Sequence, residues 1–280
     1  MNVAILGIVA GTGSLPILIA RRAVEQGYEV LAIAFRGFTD PAIQEVVQET
    51  VWLRLGQAQK AITALKEHGI DRVVMAGKIE KITLMKPWKL RLDLRGLRFI
   101  RSLKDWRDDT VLAAIADELL KEGITVDELT RWADKLMAPL GVLTARLPTP
   151  REWNDISFGR DMAKGIGALD IGQTVVVKNS AVIAVEAIEG TDKAIRRVWD
   201  LGVRDAVVVK MAKPQQDMRF DVPGVGPSTI ESMQAAGARV LAVEAGKTMV
   251  ADFSETIGQA DRAGISVVGI PSEGPLGPTQ

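Results

Sequence analysis

The sequence contains no cysteine and a single histidine, His68. Without thiols there is no disulfide frame, no thiolate zinc site and no cysteine nucleophile. With one histidine, a Ser-His-Asp triad or a multi-histidine metal site could be built only across subunits. Any divalent metal therefore falls to carboxylates, carbonyls, water or a substrate phosphate, which favours hard ions such as Mg2+ or Mn2+. His68 stands in Lys66-Glu67-His68-Gly69, a basic residue ahead of a stopping glycine, and is expected to cap a helix C-terminus. No run reaches the ~18 apolar residues of a membrane span. The opening residues Met1 to Gly7 lack a basic n-region and read as a buried strand, so a cytoplasmic protein is expected. Neither sign of charge is in excess: 35 Lys and Arg balance 35 Asp and Glu. No global field then recruits nucleic acid or an anionic membrane.

What is present supports a sizeable core. With 280 residues, and ~150 per domain, roughly two domains are expected. In the first half, apolar runs at 3–9, 29–35, 50–55 and 72–76 alternate with helical patterns at 14–26, 41–48 and 57–68. That alternation predicts a Rossmann-like, doubly wound parallel sheet with ligands at the strand carboxyl ends. Residues 86–107 are rich in Arg, Lys and Leu, with Leu90, Leu94, Leu97 and Ile100 at helical spacing. Two readings of this segment stay open: an amphipathic surface for acyl chains or membrane, or an ordinary helix packed by its leucines. A helix over 109–121 closes an N-terminal domain of residues 1–136. The stretch 137–151, with Pro139, Pro148 and Pro150, reads as a linker. A second α/β domain, 152–280, contains a helix at 152–168 and a β-hairpin at 174–186 turning on Asn179-Ser180. Helices at 192–201, 228–236 and 254–263 then alternate with strands at 206–209, 239–243 and 265–270.

Three constellations carry the chemistry. Gly11-Thr12-Gly13-Ser14 joins a strand to a helix, where glycines let backbone N–H groups approach a phosphate. The third glycine of a dinucleotide fingerprint is replaced by Pro16, and Phe35-Arg36-Gly37 stands where an acid would hold a ribose, so NAD is disfavoured. Gly77 and Lys78 follow the fourth strand at the same sheet edge, within reach of the same phosphate. The alternatives are a tight turn without ligand and an exposed loop lysine. The richest stretch runs from Lys210 to Pro227. In it Asp217, Arg219 and Asp221 alternate, and an extended segment would point all three to one side. Two carboxylates among Lys213 and Arg219 suit a hard metal ion on a diphosphate, with a proline-stiffened surface loop as the alternative. Acids at other strand ends converge with them: Glu186 and Glu189 before Thr191 and Asp192, and Glu244 before Lys247. Thr191 or Asp192 would also serve as a helix N-cap, and Glu244 as a turn acid. The residues alone lead to a two-domain α/β protein that binds a phosphorylated ligand.

Read together, Gly11-Thr12-Gly13-Ser14-Leu15-Pro16, Leu55-Gly56-Gln57, Met75-Ala76-Gly77, Leu169-Asp170-Ile171-Gly172-Gln173, the run Glu186 to Asp192, the run Lys213 to Pro223 and Val243-Glu244-Ala245-Gly246-Lys247 resemble the LpxI family. Members of that family are UDP-2,3-diacylglucosamine pyrophosphatases of lipid A biosynthesis. The resemblance extends from about Ile5 to Ile270, with Thr12 where relatives commonly carry asparagine. It implies hydrolysis of a lipid-linked UDP-sugar to UMP and 2,3-diacylglucosamine 1-phosphate, with Mg2+ (or Mn2+), a ligand held between domains, and a homodimer. Asp221 matches the family's essential aspartate. The expected catalytic set is Asp221 and Asp217, with Lys213 and Arg219 as diphosphate clamps. Asp221, Asp217 and Glu244 are the expected metal ligands. Gly11, Thr12, Gly13, Ser14, Gly77, Lys78, Thr191 and Asp192 are the expected substrate contacts. A cytoplasmic enzyme is implied, peripheral at the inner face of the inner membrane, touching that surface transiently and binding no nucleic acid. Two rival classes remain on the sequence: a non-catalytic nucleotide-sugar sensor, and an NADP-linked reductase using Arg36.

Overall fold

The computed structural model describes residues 4–77, 91–103 and 108–277. The chain divides into two compact units: Met1–Ala133 with Asp217–Asp221, and Asp134–Gln216 with Val222–Gln280.

The first unit begins β1 (Ile5–Ala10), α1 (Leu15–Glu25), β2 (Glu29–Phe35), β3 (Glu49–Leu53), α2 (Ala58–Glu67) and β4 (Arg72–Ala76). It continues with α3 (Leu94–Ser102), α4 (Asp108–Leu120), β5 (Thr125–Val126) and α5 (Leu129–Trp132). Every pairing is parallel, in the order β3-β2-β1-β4-β5. This is a doubly wound sheet whose strand order reverses between β1 and β4. Both faces of the central strands are covered, which is why β1 and β2 read as nearly unbroken apolar runs rather than alternating ones. Helix α1 buries Pro16, Ile19, Ala20 and Ala23, one stripe at helical spacing. The helix expected over 41–48 is only a 3-10 turn, Pro41–Glu45, started by Asp40 accepting from Ala42 N at 2.9 Å. The β-branched pair Val46-Val47 that follows is a poor continuation for it.

The second unit holds β6 (Gly141–Val142), α6 (Pro150–Ala168), β7 (Thr174–Lys178), β8 (Ala181–Val185), α7 (Thr191–Asp200) and β9 (Val207–Lys210). After these come β10 (Gly224–Val225), α8 (Pro227–Ala236), β11 (Val240–Glu244), β12 (Met249–Val250), α9 (Phe253–Arg262) and β13 (Ser266–Ile270). Its six-stranded sheet runs β6-β13-β11-β9-β7-β8, with β9, β11 and β13 parallel and the other pairings antiparallel. The hairpin turn is as expected: Asn179 and Ser180 both have positive φ, 50° and 56°. Buried Asp155 on α6 accepts from both turn N–H groups, at 3.0 and 2.6 Å.

Residues 137–151 are not a free linker. β6 pairs antiparallel with β13, Leu143 N donates to Val267 O, and Ala138 N donates to Thr248 O. Backbone groups that find such partners are held in the sheet rather than left to solvent. Helix α6 starts two residues earlier than the sequence pattern suggests. Thr149 caps it, Glu152 returns the bond to Thr149 N at 2.7 Å, and Pro150 fills the first turn. The helix lies so close to the sheet that a Cβ on Gly159 would stand 2.5 Å from Val209 Cγ2.

Candidate functional site

At the carboxyl edge of the first sheet, beside the β1/β4 switch, Gly11 N donates to Ala76 O at 2.7 Å. Gly77 sits against the same turn with φ +85°, and a Cβ there would lie 2.5 Å from Thr12 O. Only glycine tolerates that backbone and that approach. The structure therefore gathers Gly11, Thr12, Gly13, Ser14 and Gly77 at one point, at the N-terminus of α1. Ser14 is the N-cap but makes no side-chain capping bond, and Pro16 removes one of the first-turn donors. Thr39, which no motif signalled, ties this edge together. Its buried hydroxyl donates to Ala10 O at 2.5 Å and accepts from Phe35 N at 2.9 Å. Lys78 lies outside the described residues, as do 79–90 and 104–107 of the neighbouring basic stretch.

The acidic loop is not extended. Phe220 N and Asp221 N both donate to Asp217 O, so Asp217–Asp221 is a single helical turn. The reason is local: Arg219 folds back onto Asp217. Arg219 Nε lies 3.0 and 3.1 Å from the two carboxylate oxygens, Nη2 lies 2.6 Å from Oδ2, and Arg219 N reaches Oδ1 at 3.1 Å. That guanidinium holds the Asp217 carboxyl below its ordinary range, against the opposing push of partial burial. Met218 O accepts from Leu129 N at the start of α5, which is how the turn comes to belong to the first unit.

The remaining expected site residues belong to the second unit. Lys213 Nζ contacts Asp170 Oδ1 at 2.7 Å, and Lys213 N donates to Gln216 Oε1 at 2.9 Å. Glu244, at the end of β11, is 2% exposed. Its Oε2 accepts from Ala212 N at 2.8 Å, while Oε1 meets Lys247 Nζ at 2.9 Å and the Ser272 hydroxyl. Glu244 thus ties the ends of β9 and β11 to the C-terminal segment. Thr191 and Asp192 open α7, whose N-cap is Gly190 rather than either of them.

Oxygen donors of this kind match Mg2+ chemically. Asp217, however, is already engaged by Arg219, and Glu244 by Ala212, Lys247 and Ser272. Among the described residues there is no group of three His, Cys, Asp or Glu arranged to hold a metal ion. Asp221, half-buried at the end of its turn, suits a hard ion that keeps water and phosphate oxygens in its shell. Sequence reasoning also gave no role to Lys210, whose ammonium is buried at the end of β9 against Thr191. The signal was a lysine terminating the wholly apolar run Val207-Val208-Val209.

Among the described residues no helix is long and apolar enough to cross a membrane. The family model described as the LpxI N-terminal domain matches residues 5–136, and that of the LpxI C-terminal domain matches 139–268. A curated relative, UDP-2,3-diacylglucosamine pyrophosphatase LpxI of Caulobacter vibrioides, is 35% identical over 96% of this chain and 99% of its own. Solved structures are far more distant. The biotin carboxylase subunit of a pyruvate carboxylase overlays at TM-score 0.28 and 14% identity, over 66% of this chain and 36% of that one. The protein titled gox2253 overlays at TM-score 0.28 and 13% identity, over 97% and 90%. Both family domains fall on this chain in order and together span most of its length, and the chain belongs to the LpxI family.

Proposed function

We propose that this chain hydrolyses the diphosphate of UDP-2,3-diacylglucosamine to UMP and 2,3-diacylglucosamine 1-phosphate. The observation that carries this reading is the 35% identity to the Caulobacter pyrophosphatase over 96% of the chain. In the reaction, a water oxygen bonds to one phosphorus of the anhydride as the bond from that phosphorus to the bridging oxygen breaks. The proton lost by the water passes to a carboxylate or to solvent. With no cysteine and one histidine, carboxylate-assisted water is the chemistry these side chains suit best.

Asp221 is the proposed catalytic carboxylate, orienting the water, and it is also the proposed ligand of Mg2+ together with phosphate oxygens. When bound, that ion would neutralise charge on the diphosphate. Lys213 and Arg219 are proposed to bind phosphate oxygens, exchanging Asp170 and Asp217 for the substrate. Backbone N–H groups of Gly11 to Ser14 are proposed to receive a phosphate beside the α1 N-terminus. Thr191 and Asp192 are proposed as further substrate contacts.

Helix α3 supports a transient membrane contact. Leu94 is 75% exposed, and Arg91, Arg98 and Arg101 are exposed close by in the chain, while Leu92 and Ile100 pack into the first unit. An aliphatic side chain among arginines suits an anionic lipid surface. A homodimer at the cytoplasmic face of the inner membrane completes the proposal. The test is incubation with UDP-2,3-diacylglucosamine and Mg2+, following UMP by chromatography. UMP release with first-order dependence on enzyme is expected. A stable complex without UMP would instead identify a sensor.

A further inference from the structure

The end of the second sheet holds a buried polar node that joins Thr191 to Lys210, Glu186 and Thr174, residues given no role in the reaction above. Lys210 is 3% exposed, and its ammonium donates to Thr191 Oγ1 at 2.7 Å. The same hydroxyl donates to Glu186 Oε1 at 2.7 Å and lies 3.5 Å from Thr174 Oγ1. Thr174 pairs with Lys210 across β7 and β9, so the node is fixed by the sheet register. Glu186 follows the end of β8 and is only 9% exposed. Its second oxygen, Oε2, is buried with no hydrogen-bond partner. Thr191 is half-buried, so the node borders solvent at the start of α7.

A buried acceptor left unpaired is costly, and native structures keep few of them. The chemistry of the node narrows what can supply the missing bonds. A metal cation is disfavoured, because the Lys210 ammonium already stands one hydroxyl away from the carboxylate. A phosphate is disfavoured at Glu186 Oε2, where it would meet an acceptor that offers no proton. A neutral O–H donor fits the orphan acceptor, Glu186 Oε2. We infer that Glu186 Oε2 receives a sugar hydroxyl of the bound nucleotide-sugar, with Thr191 and Lys210 holding the carboxylate in place. This inference rests on the function proposed above and adds a specificity contact to it. The hydroxyl has two sources, the ribose of the nucleotide or the hexose.

The experiment is calorimetric binding to the full chain, wild type beside Glu186→Ala and Glu186→Gln. One ligand series is UMP with its 2′-deoxy and 3′-deoxy forms. The other is glucosamine 1-phosphate with its 4-deoxy and 6-deoxy forms. In one series, wild type should lose about tenfold in affinity when the hydroxyl is removed, as expected for a hydrogen bond to a charged group. The same deletion should cost Glu186→Ala nothing. Coupling in the UMP series identifies the ribose, and coupling in the other identifies the hexose. Deoxy penalties that are equal in wild type and variants, or absent throughout, overturn the inference. If Glu186→Ala melts early, Glu186→Gln carries the comparison, since it keeps the side chain's shape and an oxygen for Thr191 while removing the charged acceptor, and the deoxy penalty should shrink there too. UMP release from the full substrate is measured on the same samples. Turnover without coupling rejects this inference alone, and coupling without turnover rejects the proposed activity alone.

Discussion

Arg219 grips the carboxylate of Asp217, two residues before it, through Nε and Nη2, the shortest contact being 2.6 Å. The pair closes a helical turn and keeps both charges, and it leaves Asp217 engaged before any ligand arrives. Asp221, at the other end of the turn, is placed by this pair through its own N–H bond to Asp217 O. The first prediction follows from that division of labour. Asp217→Ala should loosen the turn and lower kcat, but by a smaller factor than Asp221→Ala. Steady-state kinetics on both variants make the comparison, and equal losses would return Asp217 to the catalytic set.

Asp221→Ala should fold as wild type by circular dichroism and lose at least about a hundredfold in kcat, on the order of 3 kcal/mol. A group needed chiefly in the transition state lowers kcat without a matching rise in KM. If the variant retains more than about a tenth of wild-type kcat, a loss under ~1.4 kcal/mol, the assignment is wrong.

Metal dependence is the third expectation. EDTA should abolish UMP release, and Mg2+ or Mn2+ should restore it, since the donor set is all oxygen. Full activity in metal-free buffer would overturn the acidic-loop mechanism.

His68 supplies a pH-dependent expectation. Its Nδ1 meets Ala64 O at 2.7 Å at the C-terminus of α2, and its Nε2 meets Glu49 Oε2 at 2.9 Å on β3. The Ala64 carbonyl foremost, with Glu49, raises the imidazole above its ordinary 6.5. A folded-state value raised in this way stabilises fully below 6.5, and the contribution disappears as pH rises through the folded value. Thermal melts should therefore show His68→Ala farther below wild type at about pH 5.5 than at about pH 8.5. A gap that widens with pH would contradict the charged pair.

Gly77→Ala tests the phosphate turn. With φ at +85° and a Cβ directed at Thr12 O, alanine should cost about 1–3 kcal/mol and displace the Gly11–Gly13 backbone. A lower melting temperature together with weaker UMP binding is the expected result. Unchanged UMP affinity in a destabilised variant would make the turn purely structural.

The sequence by itself determined the two α/β halves, because apolar runs and glycine stops report burial and chain reversal residue by residue. It also determined the hairpin at Asn179-Ser180, the cap at His68 and the glycine-rich turn, each set by bonds within or near its own segment. The motifs carried the family. Only the tertiary structure decided that residues 137–151 join a sheet edge, because their partners lie more than a hundred residues away on β13 and its neighbours. It also decided the acidic loop. Alternating charges suggested an extended strand facing one way, but Arg219 turns back on Asp217 and Leu129 holds Met218 O, contacts that no periodicity encodes. The node at Lys210 shows the same limit. A lysine, a threonine and a glutamate at three separate positions become one hydrogen-bonded group only when β7, β9 and α7 pack, because the strength of a buried polar contact depends on water that the sequence does not show being removed.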